Sequence, residues 1–297
     1  MAEPVVRKFV PVGKGAELEV FIHGKGEPWI CCTHAYGTFT KSGGWFVDSL
    51  ASEGTIILVN PRSSGNSTVG QSRAELTMRQ LVDDIEVVRK HFRGDLPWVF
   101  AGTSTGGMIG LLYVLTYGNA SGLVINGSAP SWRFIEDASC VYNPAHPDYE
   151  RIEMARQRML SRDATEDAER EWGEVVLGSS LYRSDLVDEF CANASGGISP
   201  TRLKAIREEL RPPHAFDVSE RLGTIAVPTL ITCGRHDNQC PVSQSQLMHS
   251  SIPRSDLAIF EESGHFPFFE EADAYSRVLH AFLSKLAPGL RSGDRNS

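Results

Sequence analysis

Three side chains have types and positions suited to nucleophilic catalysis, namely Ser104, Asp237 and His265. A serine hydroxyl attacks a carbonyl carbon efficiently only when a base takes its proton, and that base is commonly an imidazole oriented by a carboxylate. Ser104 lies in a short Gly/Ser/Thr cluster between two apolar stretches, whereas Asp237 and His265 each follow an apolar stretch nearer the carboxyl terminus. These residue types in this order predict acyl transfer through a Ser-His-Asp triad.

The cluster around the serine reads Gly102-Thr103-Ser104-Thr105-Gly106. A Gly-x-Ser-x-Gly string is weak evidence alone, because it often arises by chance. Here it follows "WVFAG" and precedes "GMIGLLYVL", which predicts a strand, a sharp turn and a helix. Gly102 and Gly106 remove the bulk that would make strand and helix collide, and Gly107 adds room. We therefore expect the turn to hold the Ser104 hydroxyl clear of the sheet, above the positive end of the helix dipole.

The acid and the base follow two later strands. Asp237 ends the stretch "TLITCGRHD", and His265 ends "DLAIFEESGH". Because parallel strands of an open sheet end at one edge, both side chains are expected at the edge that carries Ser104. Three further carboxylates remain open for the acid role: Asp217, Glu261 and Glu262.

An acyl-transfer site also needs hydrogen-bond donors for the oxyanion of the tetrahedral intermediate. The residue after the nucleophile supplies one main-chain N–H on this type of turn, which is Thr105 here. The loop after the apolar run "WICCT" supplies the second, and it reads His34-Ala35-Tyr36-Gly37. Tyr36 is the favoured donor and Ala35 the second choice.

Short apolar stretches without polar alternation, separated by helical patterns, predict the elements that position these residues. Predicted strands cover 5–12, 16–26, 29–37, 55–67 (breaking at Pro61), 98–102, 122–130, 227–237 and 255–265. Predicted helices cover 41–53, 76–92, 107–118, 242–252 and 270–286. Such alternation is typical of an α/β fold with a mostly parallel, doubly wound sheet.

Residues 131–215 interrupt this alternation, because they are charged, helical in pattern and without a convincing strand. They are expected to form a helical cap over the site, between a core of residues 1–130 and 216–290, with a frayed tail at 291–297. A cap sets substrate size and excludes water. Four of its aromatic residues are candidates for lining the substrate pocket: Trp132, Phe134, Trp172 and Tyr182.

Composition restricts the partners. The 297 residues carry a formal net charge of −8, which argues against nucleic acid and anionic membrane surfaces, and no apolar run approaches the roughly 20 residues that span a bilayer. The first residues lack the pattern of a secretory signal, and six cysteines are too few for a disulfide scaffold. We expect a cytoplasmic, reduced protein, monomeric or homodimeric, that acts on a small molecule.

The pattern resembles the α/β-hydrolase superfamily over nearly the whole chain outside the cap. "NPRSSGNS" (60–67) is similar to the superfamily's Asp-x-Arg-Gly-x-Gly-x-Ser stretch, with Asn60 and Ser63 as departures, and His34-Ala35 stands where a His-Gly dipeptide is common. Together with "VDDIEVVRKHF", this stretch most resembles the prolyl aminopeptidase branch, although "HAYGT" differs from that branch's oxyanion loop. Because a serine occupies the elbow, the dehalogenase and epoxide-hydrolase branches are disfavoured.

The resemblance implies an α/β-hydrolase fold and hydrolysis of an ester, lactone or similar acyl bond of a small hydrophobic substrate, with neither metal nor organic cofactor. A prolyl aminopeptidase-like peptidase is the first alternative, in which cap carboxylates would bind the substrate's free amine; Asp185, Asp188 and Glu189 are the candidates. A second alternative is cleavage of a carbon–carbon bond by the same triad. A non-catalytic ligand sensor is a third.

Overall fold

The computed structural model of the chain describes residues 5–161, 165–193, 196–212 and 215–290. The tail predicted at 291–297 lies outside them. Eight strands form one sheet: β1 (Val6–Gly13), β2 (Ala16–His23), β3 (Trp29–Thr33), β4 (Thr55–Val59), β5 (Trp98–Thr103), β6 (Ala120–Asn126), β7 (Thr229–Gly234) and β8 (Ser255–Phe260). Their order across the sheet is β1-β2-β4-β3-β5-β6-β7-β8.

The α-helices in chain order are α1 (Trp45–Asp48), α2 (Met78–Arg93), α3 (Thr105–Tyr117), α4 (Tyr149–Met159), α5 (Glu166–Ser180), α6 (Val187–Ala192), α7 (Pro200–Glu209), α8 (Val242–Ser251), α9 (Pro267–Glu270) and α10 (Ala272–Leu290). α2 begins where the Thr77 side chain accepts a hydrogen bond from the main-chain N–H of Gln80, 3.1 Å away. Leu81, Val82, Ile85 and Val88 recur at helical spacing and are buried, as the pattern at 76–92 predicts.

The sheet is antiparallel only at one edge. β2 pairs antiparallel with β1 and with β4, while the neighbours from β4 to β8 all pair parallel. This confirms the predicted α/β fold with a mostly parallel, doubly wound sheet. It also places the carboxyl ends of the parallel strands at one edge of the sheet. The loops that begin at this edge carry, after β3, β5, β6, β7 and β8 in turn, His34, Ser104, Gly127, Asp237 and His265.

Successive residues of the buried strands face two different cores. Cys31 and Ile57 pack in the core that also contains residues of α2, α3 and α8, whereas Cys32 and Ile56 pack in the core that contains residues of α1 and α10. Both faces of the strands are therefore covered, which explains why these strands read as continuous apolar runs. Cys233 of β7 is fully buried as well, so it packs as a small apolar side chain.

Several predicted boundaries differ from the observed ones, and glycines explain two of these differences. The helix predicted over 41–53 is only α1, four residues long, because Gly43 and Gly44 take φ angles of 76° and 77° immediately before it. The strand predicted over 122–130 begins at Ala120 and ends at Asn126, because Gly127 has φ 48° and turns the chain at the edge of the sheet.

The described part of the interval 131–215 contains α4 to α7 and short 3-10 turns, and it forms only isolated β-bridges there. Its own apolar cluster includes Ile152, Trp172 and Leu203, with Tyr36 of the core packed against it. The segment is therefore helical, and it lies beside the loop that follows β3. Among the residues described, no helix is long and apolar enough to cross a membrane.

Candidate active site

Ser104 stands at a strained turn between β5 and α3. Its φ of 55° and ψ of −125° are uncommon for a residue with a side chain, and its main-chain N–H donates to the carbonyl of Asn126, 2.9 Å away. A Cβ on Gly102 would overlap the main chain of Gly106, and a Cβ on Gly106 would overlap the carbonyl of Thr33. The two flanking glycines are thus required by the close approach of strand, turn and helix, as the sequence predicts.

His265 and Asp237 form a buried pair at the same edge. The Nδ1 atom of His265 lies 2.8 Å from Oδ2 of Asp237, and both side chains are almost completely buried. The other carboxylate oxygen, Oδ1, accepts main-chain N–H groups from Gln239 and Cys240, each at 2.9 Å. Because Nδ1 donates to the carboxylate, Nε2 of a neutral imidazole keeps a lone pair that can accept a proton.

Asn126, the last residue of β6, connects the elbow to the histidine. Its side-chain amide donates to the main-chain carbonyl of His265 at 3.3 Å and to the Thr103 hydroxyl at 3.2 Å. The main-chain carbonyl of Asn126 accepts from the N–H of Ser104. Sequence reasoning missed this residue. The available signal was a polar residue that ends a buried apolar strand, since such a residue needs polar partners.

The alternative acids do not approach the histidine. Asp217 is exposed, and its Oδ1 accepts from the main-chain N–H of Ser219. Glu261 is exposed and pairs with Arg235 at 2.7 Å, and Glu262 is exposed too. Of the four carboxylates considered from the sequence, the structure brings only Asp237 to His265.

The loop after β3 is tied to the residue that follows the serine. The main-chain N–H of Ala35 donates to Oγ1 of Thr105 at 3.4 Å, and Gly37 donates its N–H to Nδ1 of His34 at 2.8 Å. The N–H of Tyr36 lies 3.4 Å from the same Nδ1 atom, while Nε2 of His34 lies 3.1 Å from Thr105 Oγ1. The structure therefore places Tyr36 and Thr105 on adjoining segments, with Ala35 turned toward the Thr105 hydroxyl.

Burial keeps the His34 imidazole neutral. It lowers the pKa of His34 to about 3, with smaller contributions from the nearby His265 and Arg202. Since Nδ1 accepts a hydrogen bond from Gly37, the single ring proton belongs on Nε2, where it is donated to the Thr105 hydroxyl. His34 thus supports both the loop and the start of α3.

Two cavities meet at Ser104. The first, of about 280 Å³, is also lined by His265 and by aromatic side chains from the core and the helical segment. Its aromatic lining residues are Tyr36, Phe39, Trp45, Phe46, Trp172, Phe190, Phe266 and Phe268. The second, of about 110 Å³, is lined by Thr105, Met108, Phe134, Trp172 and others, with Arg207 and Arg211 on its wall. Mostly apolar walls on both sides of a serine suit a small hydrophobic substrate.

Of the four aromatic residues predicted to line the substrate pocket, two line a cavity at Ser104 and two do not. Trp172 lines both cavities and Phe134 lines the second, whereas Trp132 and Tyr182 line neither. Trp132 instead lies against the guanidinium of Arg133, 5.1 Å from the ring centre, and Tyr182 is 49% exposed and stacks on His236 at 4.3 Å. The pattern did not reveal Gln239, which lines both cavities.

The cap carboxylates considered for a peptidase lie elsewhere. Asp185, Asp188 and Glu189 are exposed or partly exposed, and none of them lines either cavity. Asp185 pairs with Arg183 at 2.7 Å. The structure thus does not bring these side chains to Ser104.

A nucleophile elbow at the carboxyl edge of a mostly parallel, doubly wound sheet is the arrangement of an α/β hydrolase. Residues 20–278 match the model of the Alpha/beta hydrolase family, and the chain belongs to this family of hydrolases. The match includes the elbow, Asp237 and His265.

Similar proteins have different activities. Proline iminopeptidase of Thermoplasma volcanium is 26% identical over 257 residues, which cover 80% of this chain and 82% of that protein. A 2-hydroxy-6-oxononadienedioate/2-hydroxy-6-oxononatrienedioate hydrolase of Klebsiella pneumoniae is 25% identical over 293 residues, which cover 92% and 89%. A solved alpha/beta fold family hydrolase from Bacillus anthracis has a TM-score of 0.86 and 26% identity, covering 95% of this chain and 99% of its own.

Proposed function

We propose that the protein is a serine hydrolase that cleaves an ester, lactone or similar acyl bond of a small hydrophobic substrate through Ser104, His265 and Asp237. One observation carries the proposal: His265, whose Nδ1 lies 2.8 Å from Oδ2 of the buried Asp237, lines the same cavity as a serine held at φ 55°. These placements support the roles of orienting acid for Asp237, base for His265 and nucleophile for Ser104.

The reaction proceeds in two acyl-transfer steps. Nε2 of His265 takes the proton of the Ser104 hydroxyl as the oxygen attacks the substrate carbonyl, while Asp237 stabilises the imidazolium. We assign the oxyanion to the main-chain N–H groups of Thr105 and Tyr36, the second of which would exchange its 3.4 Å contact with His34 Nδ1 for the substrate oxygen. His265 then protonates the leaving group, and the same residue activates a water molecule that releases the acid from Ser104.

The charges around the cavities favour an acyl hydrolase over an aminopeptidase. A free amine needs carboxylates beside the serine, but Asp185, Asp188 and Glu189 line neither cavity. The second cavity is lined instead by the guanidinium groups of Arg207 and Arg211, and the carboxylate that lines it, Glu153, is paired with Arg156. A guanidinium repels an ammonium group, so the peptidase activity named for the iminopeptidase relatives is the less favoured alternative for this chain.

A labelling experiment tests the proposal. A fluorophosphonate probe should label the native protein, and the label should vanish in Ser104→Ala but persist in Ser250→Ala, whose serine is exposed on α8. Absence of labelling in the native protein would favour a ligand sensor.

A panel of substrates distinguishes the possible activities. Rates of cleavage are compared for 4-nitrophenyl esters, lactones and proline 4-nitroanilide, and fast cleavage of the anilide alone would favour the peptidase over the ester hydrolase. Cleavage of a vinylogous 1,5-diketone without ester turnover would support carbon–carbon hydrolysis.

A further inference from the structure

The second cavity contains a guanidinium that lacks a carboxylate partner. Arg207, in the last turn of α7, is partly buried and lines the cavity together with Ser104. Within the described part of the chain, it forms no ion pair and no hydrogen bond. Two buried arginines pair with carboxylates, Arg62 with Asp84 at 2.7 Å and Arg89 with Glu86 at 2.9 Å. The buried Arg202 instead donates from Nε to the main-chain carbonyl of Ala35. Arg207 has neither kind of partner among the described residues, and it lines a cavity that Ser104 also lines.

Arg207 remains a cation at neutral pH despite its surroundings. Burial lowers the pKa of its guanidinium to about 10, and the nearby charge of Arg211 acts in the same direction. That pKa is still well above 7, so the positive charge is present, and an unpaired, partly desolvated charge costs free energy that a bound anion would offset. Glu153 lines the same cavity, but its carboxylate is engaged by Arg156 and Gln157.

Phenols surround the guanidinium. Tyr36, Tyr142 and Tyr149 line the cavity and interact electrostatically with Arg207. Burial raises the pKa of Tyr36 to about 12, so this phenol stays protonated and can donate a hydrogen bond. Tyr142 already donates to Oε1 of Gln239 at 2.7 Å. A planar cation beside a phenolic donor is a chemical environment that suits a carboxylate.

We propose that Arg207 binds a carboxylate of the substrate, so that the preferred substrates are apolar acyl compounds with one anionic end. The apolar stretch of such a molecule would pack on Met108, Phe134 and Ile206, which line the same cavity as Ser104 and Arg207. This inference rests on the proposed function, because it assigns the second cavity to the substrate of Ser104. It makes charge, in addition to size, a determinant of specificity.

Two matched pairs of esters test the charge preference on each side of the scissile bond. Mono-4-nitrophenyl suberate and its methyl ester differ in charge on the acyl side, and 4-acetoxyphenylacetate and its methyl ester differ on the alcohol side. The ratio of kcat/KM, anionic over neutral, should be about tenfold or more for at least one pair, as expected for a hydrogen-bonded charge pair. In Arg207→Met the ratio should fall to about one or below, and Arg207→Lys should keep part of it.

Arg151→Met is the matched control, because Arg151 is exposed on α4 and lines neither cavity. It should keep the native ratio. A native ratio near one for both pairs, or an unchanged ratio in Arg207→Met, would overturn the inference while ester turnover leaves the proposed function standing.

If neither pair is cleaved at all, the proposed function fails, and calorimetric titration decides the subsite separately. Suberate should then bind the native protein and Arg151→Met, and bind Arg207→Met at least about tenfold more weakly. Equal affinity for the native protein and Arg207→Met, or no binding to either, would overturn the carboxylate subsite. Retained binding without turnover would identify a carboxylate-binding protein that is not an ester hydrolase.

Discussion

Nε of Arg202, in α7, donates a hydrogen bond to the main-chain carbonyl of Ala35, in the loop after β3. Two further hydrogen bonds join the loop after β3 to the residues that precede α7. The main-chain N–H of Ser199 donates to the carbonyl of Tyr36 at 2.8 Å, and the main-chain N–H of Thr38 donates to the carbonyl of Gly197 at 2.9 Å. The helical segment is therefore fastened to the loop that supplies one proposed oxyanion donor. A substrate that displaces α7 would also displace this loop.

Replacing Arg202 by Met should lower kcat more than it raises KM. The substitution keeps an apolar side chain of similar length but removes the hydrogen bond to Ala35, so the donor at Tyr36 loses its fixed position; small displacements of this kind cost about ten- to a hundredfold. Ester turnover should be divided by the fluorophosphonate-labelled fraction, because partial unfolding alone would leave kcat per labelled site unchanged. That unchanged value would contradict the positioning role, and Arg151→Met is the control.

Asp237→Asn should reduce kcat by about four orders of magnitude while the fold persists. An amide can still accept the N–H groups of Gln239 and Cys240 at Oδ1, but its NH₂ group cannot accept the His265 proton, which forces the wrong tautomer. Steady-state ester hydrolysis and thermal unfolding check the two halves of the prediction. The exposed Asp217→Asn serves as the control, and an equal loss in both variants would contradict the acid role of Asp237.

Thr105→Val should slow acylation about tenfold, and Thr105→Ser should restore most of the native rate. Valine keeps the shape of threonine but removes the hydroxyl that accepts the N–H of Ala35 and contacts His34, each a hydrogen bond of ordinary strength. The measurement is the rate of fluorophosphonate labelling under pseudo-first-order conditions. Equal rates for the valine and serine variants would show that the hydroxyl does not position the loop.

The positions of the three proposed catalytic residues were predictable because they follow from topology. Ser104, Asp237 and His265 each come soon after a parallel strand, and the carboxyl ends of such strands converge whatever the details of packing. The glycines beside Ser104 added a second, steric signal. Both signals can be read from short stretches of a single sequence, so these positions could be predicted without comparing sequences.

The pocket was less predictable, because the orientation of a helix in an irregular segment depends on contacts that the sequence does not display. Trp132 and Tyr182 are aromatic and near the site in the chain, yet they pack against Arg133 and His236 outside the cavities. Arg207 gave no signal at all. Its significance depends on the absence of a partner among the described residues, which only coordinates can reveal.

The free energy of unfolding should decrease as the pH falls below about 6.5, because His34 binds a proton more readily in the unfolded chain than in the folded protein. The folded state holds this imidazole neutral, with a pKa of about 3, whereas the unfolded chain binds a proton near its ordinary value of 6.5. Between these values the unfolded state carries more protons, so the free energy of unfolding decreases as pH falls, by at most about 1.4 kcal/mol per unit. Asparagine lacks this titration but can still accept the N–H of Gly37.

Urea unfolding at pH 7 and pH 5 measures the difference. Between pH 7 and pH 5, the free energy of unfolding of His34→Asn should fall by about 1–2 kcal/mol less than that of the native protein. Other groups contribute equally to both proteins and cancel in the comparison. Parallel loss of stability in the two proteins would mean that His34 is protonated in the folded state at pH 5.

Gly106→Ala should disrupt the elbow, whereas Gly178→Ala should not. A Cβ on Gly106 would overlap the main-chain carbonyl of Thr33, and because neither α3 nor β3 can yield easily, the turn that presents Ser104 must distort. A Cβ on Gly178, in α5, meets no atom within 4 Å, and alanine there favours the helix by up to about 1 kcal/mol. Labelling of folded protein by the fluorophosphonate should fall at least about tenfold in the first variant only. Native labelling by Gly106→Ala would show that the close approach of strand and helix does not hold the nucleophile in place.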